Sequence, residues 1–333
     1  MSAKKVVFLV ALPLVLFYVS LFVGRYFVDP LTVVRILLSR VLPITPSWPS
    51  AAELIIIQIR FPRAVLAGCV GAGLSVSGAA FQGMFRNPLV SPDILGVSAA
   101  AGFGAALAIL LSTNAVELQL LAFVFGLAGV ALTYLIARVY KTTPVLMLVL
   151  SGVVVAAFFS ALISGAKYIA DPESKLPAIT YWLLGSFNRT SLKDILTVVP
   201  AILLGTVGLL LVRWRLNVLA MGDEEARSLG IRTESLKAIV IVCTTVITSA
   251  AVSISGIVGW VGLVIPHVGR MFVGPNHRVL LPTTLALGAA FLLIIDDVAR
   301  TVTAQEIPLG ILTAVIGAPF FAYLLRRTKG GWK

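Results

Sequence analysis

The chain has 333 residues, of which 59% are hydrophobic and only 12% are charged. Soluble domains carry roughly 25% charged residues, so this composition excludes an ordinary soluble enzyme and favours a protein that lies in a lipid bilayer. The formal net charge of +12 is interpreted as an orientation signal, because Lys and Arg concentrate in the cytoplasmic loops of membrane proteins. Nucleic acid is therefore not expected among the partners.

Runs of membrane-spanning length, roughly 17 to 25 residues, recur along the whole chain with little or no charge. The run at 238–269 has no Lys, Arg, Asp or Glu over 32 residues; as one helix it would measure roughly 48 Å, which is too long for one crossing. Gly256, Gly259 and Gly262, with Pro266 beyond them, offer the place where this run divides into two spans. The sequence therefore predicts an all-α membrane protein with a single transmembrane domain. The predicted domain covers 1–333, and its ten predicted spans are 6–27, 54–85, 93–111, 116–139, 142–166, 192–212, 236–254, 257–273, 279–299 and 307–326.

The basic residues predict how these spans are oriented. With both termini in the cytoplasm, the 26 Lys and Arg residues divide into 16 inside and 10 outside, which has the sign expected for cytoplasmic loops. The two strongest clusters lie within 213–237 and at 326–333. Both can be inside only if an even number of spans separates them, and this parity independently supports two spans within 238–269.

Two external segments are long enough to hold structure of their own. The first, 25–63, contains an amphipathic stretch followed by three prolines, and we expect it to lie along the membrane surface. The second, 167–194, includes TYWLLGSF at 180–187, whose tyrosine and tryptophan suit the membrane–water interface. Both are predicted to be surface elements outside the spans.

The cytoplasmic loop 213–235, between spans six and seven, is predicted to contain a short helix. Gly222 and Asp223 provide its start, the next two residues are acids in the first turn where the helix dipole favours them, and Gly230 fits the stop. A polar, independently capped helix in this place is either a solvated connector or a rigid element against which a separate motor subunit pushes.

Acidic residues within the spans would indicate an ion-coupled carrier or an intramembrane protease, because each costs about 2.5 to 3.5 kcal/mol at the bilayer centre. Almost no acidic residue occurs within the predicted spans. Asp296 and Asp297 lie at the external end of the ninth span, at helical ion-pair spacing from Arg300. No glycine is followed by lysine, so the sequence has no phosphate-binding loop, and another subunit must bind any ATP that drives the protein. Rival hypotheses are an ion-coupled secondary transporter, disfavoured by the missing carboxylates, and a membrane hydrolase, which lacks an acid, base and nucleophile set.

Five segments carry a family resemblance. They are RFPR at 60–63, SGAAFQGMFRNPLVSPDILGVSAAAG at 77–102, GDEEARSLGI at 222–231, GIVGWVGLVIPHVGRMFVGPNHR at 256–278 and EIPLGILTAVIGAPFFAYLL at 306–325. In this order and at this spacing they resemble the membrane permeases of type II ABC importers, the FecCD/BtuC-like family that takes up iron-siderophores, haem, cobalamin and related chelates. The resemblance covers nearly the whole chain.

The resemblance implies an importer subunit without its own ATPase site and without catalytic residues. It implies a homodimer of ten-helix subunits in the lipid of the prokaryotic cytoplasmic (inner) membrane, two cytoplasmic ABC ATPase subunits and an extracytoplasmic substrate-binding protein. ATP and Mg would be bound by the ATPase, so no cofactor and no metal site are expected in this chain. Iron chelates are the expected substrates by family frequency, and an oxyanion such as molybdate or tungstate is the alternative.

The resemblance also implies roles for residues at the two membrane surfaces. Three arginines at the outer mouths of the second and ninth spans would meet acidic residues of the binding protein: Arg60, Arg63 and Arg300. A coupling helix pair would seat in a groove of the ATPase through Asp223, Glu224, Glu225, Ala226, Arg227, Leu229 and Gly230.

A gate and a translocation pathway complete the expected sites. The gate matches Asn87 and Leu89 of the second cytoplasmic loop, with Pro88 stiffening the constriction. Pathway lining is expected from the fifth span. Its candidates are Val149, Ser151, Val153 and Ala156.

Overall fold

The structure is a computed structural model that describes residues 3–138 and 143–327. Across these two ranges the chain is helical and contains no strand, so the predicted all-α fold class is confirmed. We count the continuous helix Ser50–Phe85 once, and a 3₁₀ turn, Pro92–Leu95, follows it. The helices are α1 Ala3–Phe22, α2 Pro30–Leu38, α3 Ser50–Phe85, α4 Val97–Leu110, α5 Ala115–Ala137, α6 Val145–Ile169, α7 Lys175–Leu184, α8 Leu192–Leu219, α9 Asp223–Ser228, α10 Thr233–Ser255, α11 Val261–Val273, α12 His277–Thr301 and α13 Leu309–Arg327.

Ten of these helices lie where the sequence predicts spans. Seven (α1, α3, α5, α6, α8, α10 and α12) are long and apolar enough to cross a membrane, while α4, α11 and α13 are shorter apolar helices. The long uncharged run breaks between Ser255 and Val261, where Gly256 has a φ of 67° and Trp260 a φ of 69°. A side chain at Gly256 would come within 2.2 Å of the Trp182 carbonyl oxygen, so the break needs glycine for space as well as for its backbone conformation.

The centre of the bundle is α3, which packs against α1, α8, α10, α11 and α12. Small residues allow the backbones to approach closely. A Cβ at Gly78 would lie 1.8 Å from the Gly262 carbonyl oxygen of α11, and one at Gly71 would lie 2.2 Å from the Gly288 carbonyl oxygen of α12. Helices in lipid associate through such close packing. The hydrophobic effect does not drive their association, because the acyl chains are as apolar as the helix surfaces.

Several helices extend beyond the predicted span boundaries, and the loop between α8 and α10, which is predicted to be cytoplasmic, is the most instructive case. Helix α8 continues past 212 to Leu219, and α10 begins at Thr233 instead of 236, so the loop predicted at 213–235 shrinks to 220–232. The buried face of α8 continues through Leu216 and Leu219 while charged neighbours remain on the outside. Charged residues end the lipid-facing part of a helix, but they do not end the helix itself.

The two segments predicted to be external also differ in detail from the expectation. Helix α1 ends at Phe22 and α3 begins at Ser50, so the first external segment is shorter than 25–63. It contains the amphipathic helix α2, where Asp29 Oδ2 accepts a hydrogen bond from Thr32 N at 3.1 Å. The second segment contains α7, on which Tyr181 is exposed. Both segments therefore contain surface helices.

Candidate coupling surface and pathway

The short helix α9 has the start and stop predicted from its sequence. It begins after Gly222, whose φ is 145°, and its chain reverses at Gly230, whose φ is 79°. Ala226 is fully buried against the bundle and fixes the helix to it. The prediction of a helix pair is wrong for this loop: one six-residue helix lies between α8 and α10, because the residues after the turn already belong to α10.

The outer side of α9 combines acids with apolar side chains. Glu224, Glu225 and Arg227 are exposed, and the hydrophobic side chains of Met221 and Leu229 are 62% and 63% exposed. We call these five residues the coupling surface. Sequence reasoning missed Met221, because a single methionine before a glycine carries no signal of its exposure.

Behind this surface lies a buried lysine. The Lys237 side chain is 1% exposed, and its Nζ pairs with Asp223 and lies 3.6 Å from Glu234 Oε1. Lys237 Nζ also lies 3.5 Å from the carbonyl oxygen of Thr143, just before α6. In the sequence Lys237 was only one of the cytoplasmic basic residues that set orientation, so its role in tertiary contacts was not foreseen.

The predicted gate residues form an exposed turn after α3. Arg86 adopts the left-handed conformation with a φ of 52°, and Asn87 Oδ1 accepts a hydrogen bond from Leu89 N at 2.9 Å. Leu89 is 46% exposed and Pro88 is half-buried. Arg86 Nη1 would be 3.4 Å from a Cβ at Gly222, so this turn borders the coupling helix. Its role as a gate stays a prediction.

Helix α6 exposes one continuous apolar face. The face runs along the helix at helical spacing through Leu146, Leu150, Val153, Val154 and Phe158, each more than half exposed. No charged residue occurs between 145 and 166. We call these five residues the α6 stripe.

Of the four candidate pathway residues, Val153 lies on the stripe, Val149 and Ala156 are half-buried, and Ser151 is buried. Ser151 is therefore not accessible in this conformation, and the assignment of these four residues to the pathway stays a prediction. The next residue, Gly152, is also buried, and a Cβ added to it would meet the Ile94 carbonyl oxygen at 2.0 Å. Hydrophobic periodicity could not reveal this orientation, because nearly every position of α6 is apolar.

The three arginines expected to bind a partner are buried and paired within the chain. Arg63 forms a bidentate pair with Asp296, with Nε–Oδ2 and Nη2–Oδ1 distances of 2.9 and 2.8 Å, and its Nη1 lies 2.9 Å from Glu306 Oε1. Arg60 donates to the carbonyl oxygens of Leu21, Phe22 and Tyr26.

Arg300 pairs with Asp297, as its helical spacing predicted, and donates to the Ser20 carbonyl oxygen. Arg60, Arg63 and Arg300 are only 4%, 5% and 8% exposed. Most of the hydrogen-bond donors of these three arginines already have partners inside the chain, and the side chains are not accessible to a binding protein in this conformation. Their role in docking stays a prediction.

Comparison with known proteins adds the family. A model described as the FecCD transport family matches residues 12–327. The chain belongs to the FecCD transport family. It is accordingly a multi-pass permease of an ABC importer, a transport component.

Relatives of this FecCD permease are similar over most of their length. It is 41% identical over 333 residues to the molybdate import system permease protein MolB of Haemophilus influenzae, covering 99% of this chain and 98% of MolB. It is 47% identical over 281 residues to a probable iron chelatin transport system permease protein of Helicobacter pylori, covering 84% of this chain and 85% of that protein.

Among solved structures, the FecCD permease matches an ABC transporter assigned to the metal-chelate type, in an inward-facing conformation. The TM-score is 0.87 at 40% identity, and the match covers 97% of this chain and 99% of the other. The relatives thus agree on the fold and on the importer class, while their names differ in substrate.

Proposed function

We propose that this permease moves a metal chelate, of the iron-siderophore, haem or cobalamin class, across the cytoplasmic membrane, driven by ATP hydrolysis in partner subunits. The observation that carries the proposal is the coupling surface. It places exposed acids on the short helix α9, between two spans, and an exposed hydrophobic side chain near each end of that helix. Exposed apolar side chains within a polar rim are typical of a protein interface, and a groove of a cytoplasmic ABC ATPase is the partner we propose.

The α6 stripe supports a bulky and weakly bound substrate. It is apolar along the helix and offers neither a charge nor a metal-binding side chain. In a homodimer, two such stripes would line a wide path that a chelate passes without being held. Docking of a substrate-binding protein on the external side belongs to the same proposal.

Molybdate is the second candidate substrate, because the likeness to MolB extends over 99% of this chain. An oxyanion is normally bound through Arg, Lys or backbone N–H donors. The α6 stripe presents no cationic side chain, and for this reason we place the chelate first.

The experiment that tests the proposal is uptake into proteoliposomes. The permease would be reconstituted with the ABC ATPase and the binding protein that co-purify with it, and offered labelled ferric siderophore, haem, cobalamin and molybdate. We expect uptake of one metal chelate that requires ATP. ATP-dependent uptake of molybdate alone would favour the oxyanion, and uptake driven by an ion gradient without the ATPase would contradict the importer.

Cysteine accessibility tests the pathway assignment. In a background where both native cysteines are replaced by serine, we expect Val153→Cys to react with a membrane-impermeant thiosulfonate, and the bulky adduct to block uptake. The matched control is Ser151→Cys, two residues away on the buried face, which should stay unmodified because the native residue is 3% exposed. Labelling of Val153→Cys only by a lipid-soluble maleimide would show that the stripe faces lipid.

A further inference from the structure

Lys237 is buried at the base of the coupling helix, where an unpaired ammonium would be strongly destabilising. It is compensated by contacts from two directions. On one side its Nζ pairs with Asp223, the first residue of α9. On the other side its Nζ lies 3.5 Å from the Thr143 carbonyl oxygen, and Thr143 directly precedes Pro144, the N-cap of α6. One side chain therefore touches both the coupling helix and the start of the helix that carries the stripe.

Glu234 makes a second connection parallel to the first. Its Oε2 accepts hydrogen bonds from the backbone N of Thr143, at 3.0 Å, and from the Thr143 hydroxyl. Its Oε1 lies 3.7 Å from Arg227 Nη2 on α9 and 3.6 Å from Lys237 Nζ. Thr143 is 1% exposed, so its backbone is held from both its N–H and its carbonyl group.

These contacts join two helices, α9 and α6, that pack chiefly against different neighbours. Helix α9 packs against α8 and α10, whereas α6 packs chiefly against α4, α5 and the 3₁₀ turn Pro92–Leu95. Thr143 and Lys237 are 94 residues apart in sequence. The polar cluster is therefore a direct link between the coupling helix and the residue that precedes α6.

We propose that Asp223, Arg227, Glu234, Lys237 and Thr143 form a strut that makes the cytoplasmic end of α6 move with the coupling helix. Lys237 and Glu234 are its positioning residues. The inference rests on the proposed function, since it assumes that an ATPase moves α9. Two charge-assisted connections to one residue resist both sliding and rotation, because charged groups in a buried setting lose much energy when they separate.

If the strut exists, a variant that breaks it should still hydrolyse ATP but transport less substrate for each ATP. In proteoliposomes with ATPase and binding protein, Lys237→Met should keep ATP hydrolysis while the substrate moved per ATP falls about tenfold, a typical size for coupling between sites. Lys237→Arg, which keeps the charge and the donors, should restore most of this ratio. Arg40→Met is the matched control, because it removes a cation from the external Arg40–Glu53 pair and should leave the ratio unchanged.

A residue that only stabilises the fold would behave differently. Its loss would lower the melting temperature, the hydrolysis rate and the transport rate together, with an unchanged ratio, and this result would overturn the strut. If Lys237→Met does not fold, Glu234→Ala provides the same test, because it removes the hydrogen bonds to Thr143 and leaves the Lys237–Asp223 pair in place.

Spin-label distances separate failure of the strut from failure of the proposed function. Labels at Ser228→Cys on α9 and Ala161→Cys on the exposed face of α6, in the cysteine-free background, would be followed with and without ATP. We expect one unchanged α9–α6 distance in the otherwise native protein, and a nucleotide-dependent change or broadening in Lys237→Met. A second pair of labels, on α9 and at Glu173→Cys in the predicted external segment, reports whether α9 moves. If α9 moves but the α9–α6 distance distributions are identical in both proteins, the strut is overturned. If the distance between α9 and the label at Glu173→Cys does not change with nucleotide in the otherwise native protein, α9 does not move, and this result would instead contradict the proposed function.

Discussion

Replacing Glu224 and Glu225 together by lysine is expected to abolish ATP-driven uptake while leaving the permease folded. Both side chains are exposed on the coupling surface, and reversing their charge against a complementary groove places like charges together, which costs several kcal/mol. The expected result is at least about a tenfold loss of uptake, since 1.4 kcal/mol already corresponds to a factor of ten. Loss of acids from the first helical turn costs only about 0.3 to 1 kcal/mol each, so the fold should persist.

The measurement is ATP-dependent uptake together with co-purification of the ATPase. Glu173→Lys is the control, because Glu173 is an exposed acid in a segment predicted to be external, and its reversal adds the same type of charge outside the coupling surface. Native uptake by the double variant would show that α9 is only a solvated connector, and would favour an ion-coupled carrier.

Removal of Arg63 is expected to cause a large loss of stability. Arg63 and Asp296 have side chains that are 6% and 3% exposed, and breaking a buried ion pair by removing one partner costs about 3 to 5 kcal/mol because the remaining charge is left uncompensated. Arg63→Met should therefore lower the melting temperature of the purified protein in detergent. Arg300 Nε lies 3.8 Å from Asp296 Oδ2 and compensates part of the charge, so we expect the lower end of this range.

The double variant Arg63→Met/Asp296→Leu provides the internal control. It removes both charges of the pair and leaves Glu306, whose side chain is 33% exposed, to be solvated. We expect it to be more stable than Arg63→Met alone. If Arg63→Met instead keeps native stability but loses affinity for the binding protein, the buried pair opens in the membrane and the docking role of Arg63 must be reconsidered.

The sequence by itself determined the fold class, the positions of the apolar helices and the short coupling helix. The reason is that lipid selects for uncharged runs of fixed length, and every backbone group within them must be satisfied by the helix itself. The break after Ser255 and the ends of α9 depend on glycines and acids that act over a few residues. Such local signals can be recognised without knowledge of the tertiary fold.

Only the tertiary structure decided which charged and pathway residues are buried. The partners Arg63 and Asp296 are separated by 233 residues, so the sequence could place Arg63 at a span mouth but could not supply its partner. In the same way, Lys237 was one basic residue among several until α10 placed it against Thr143. The faces of α6 were equally hidden, because a helix that is apolar all round carries no periodicity to distinguish Ser151 from Val153. Length and charge in the sequence determine where helices run, whereas close packing between distant segments determines which side chains remain available to a partner or a substrate.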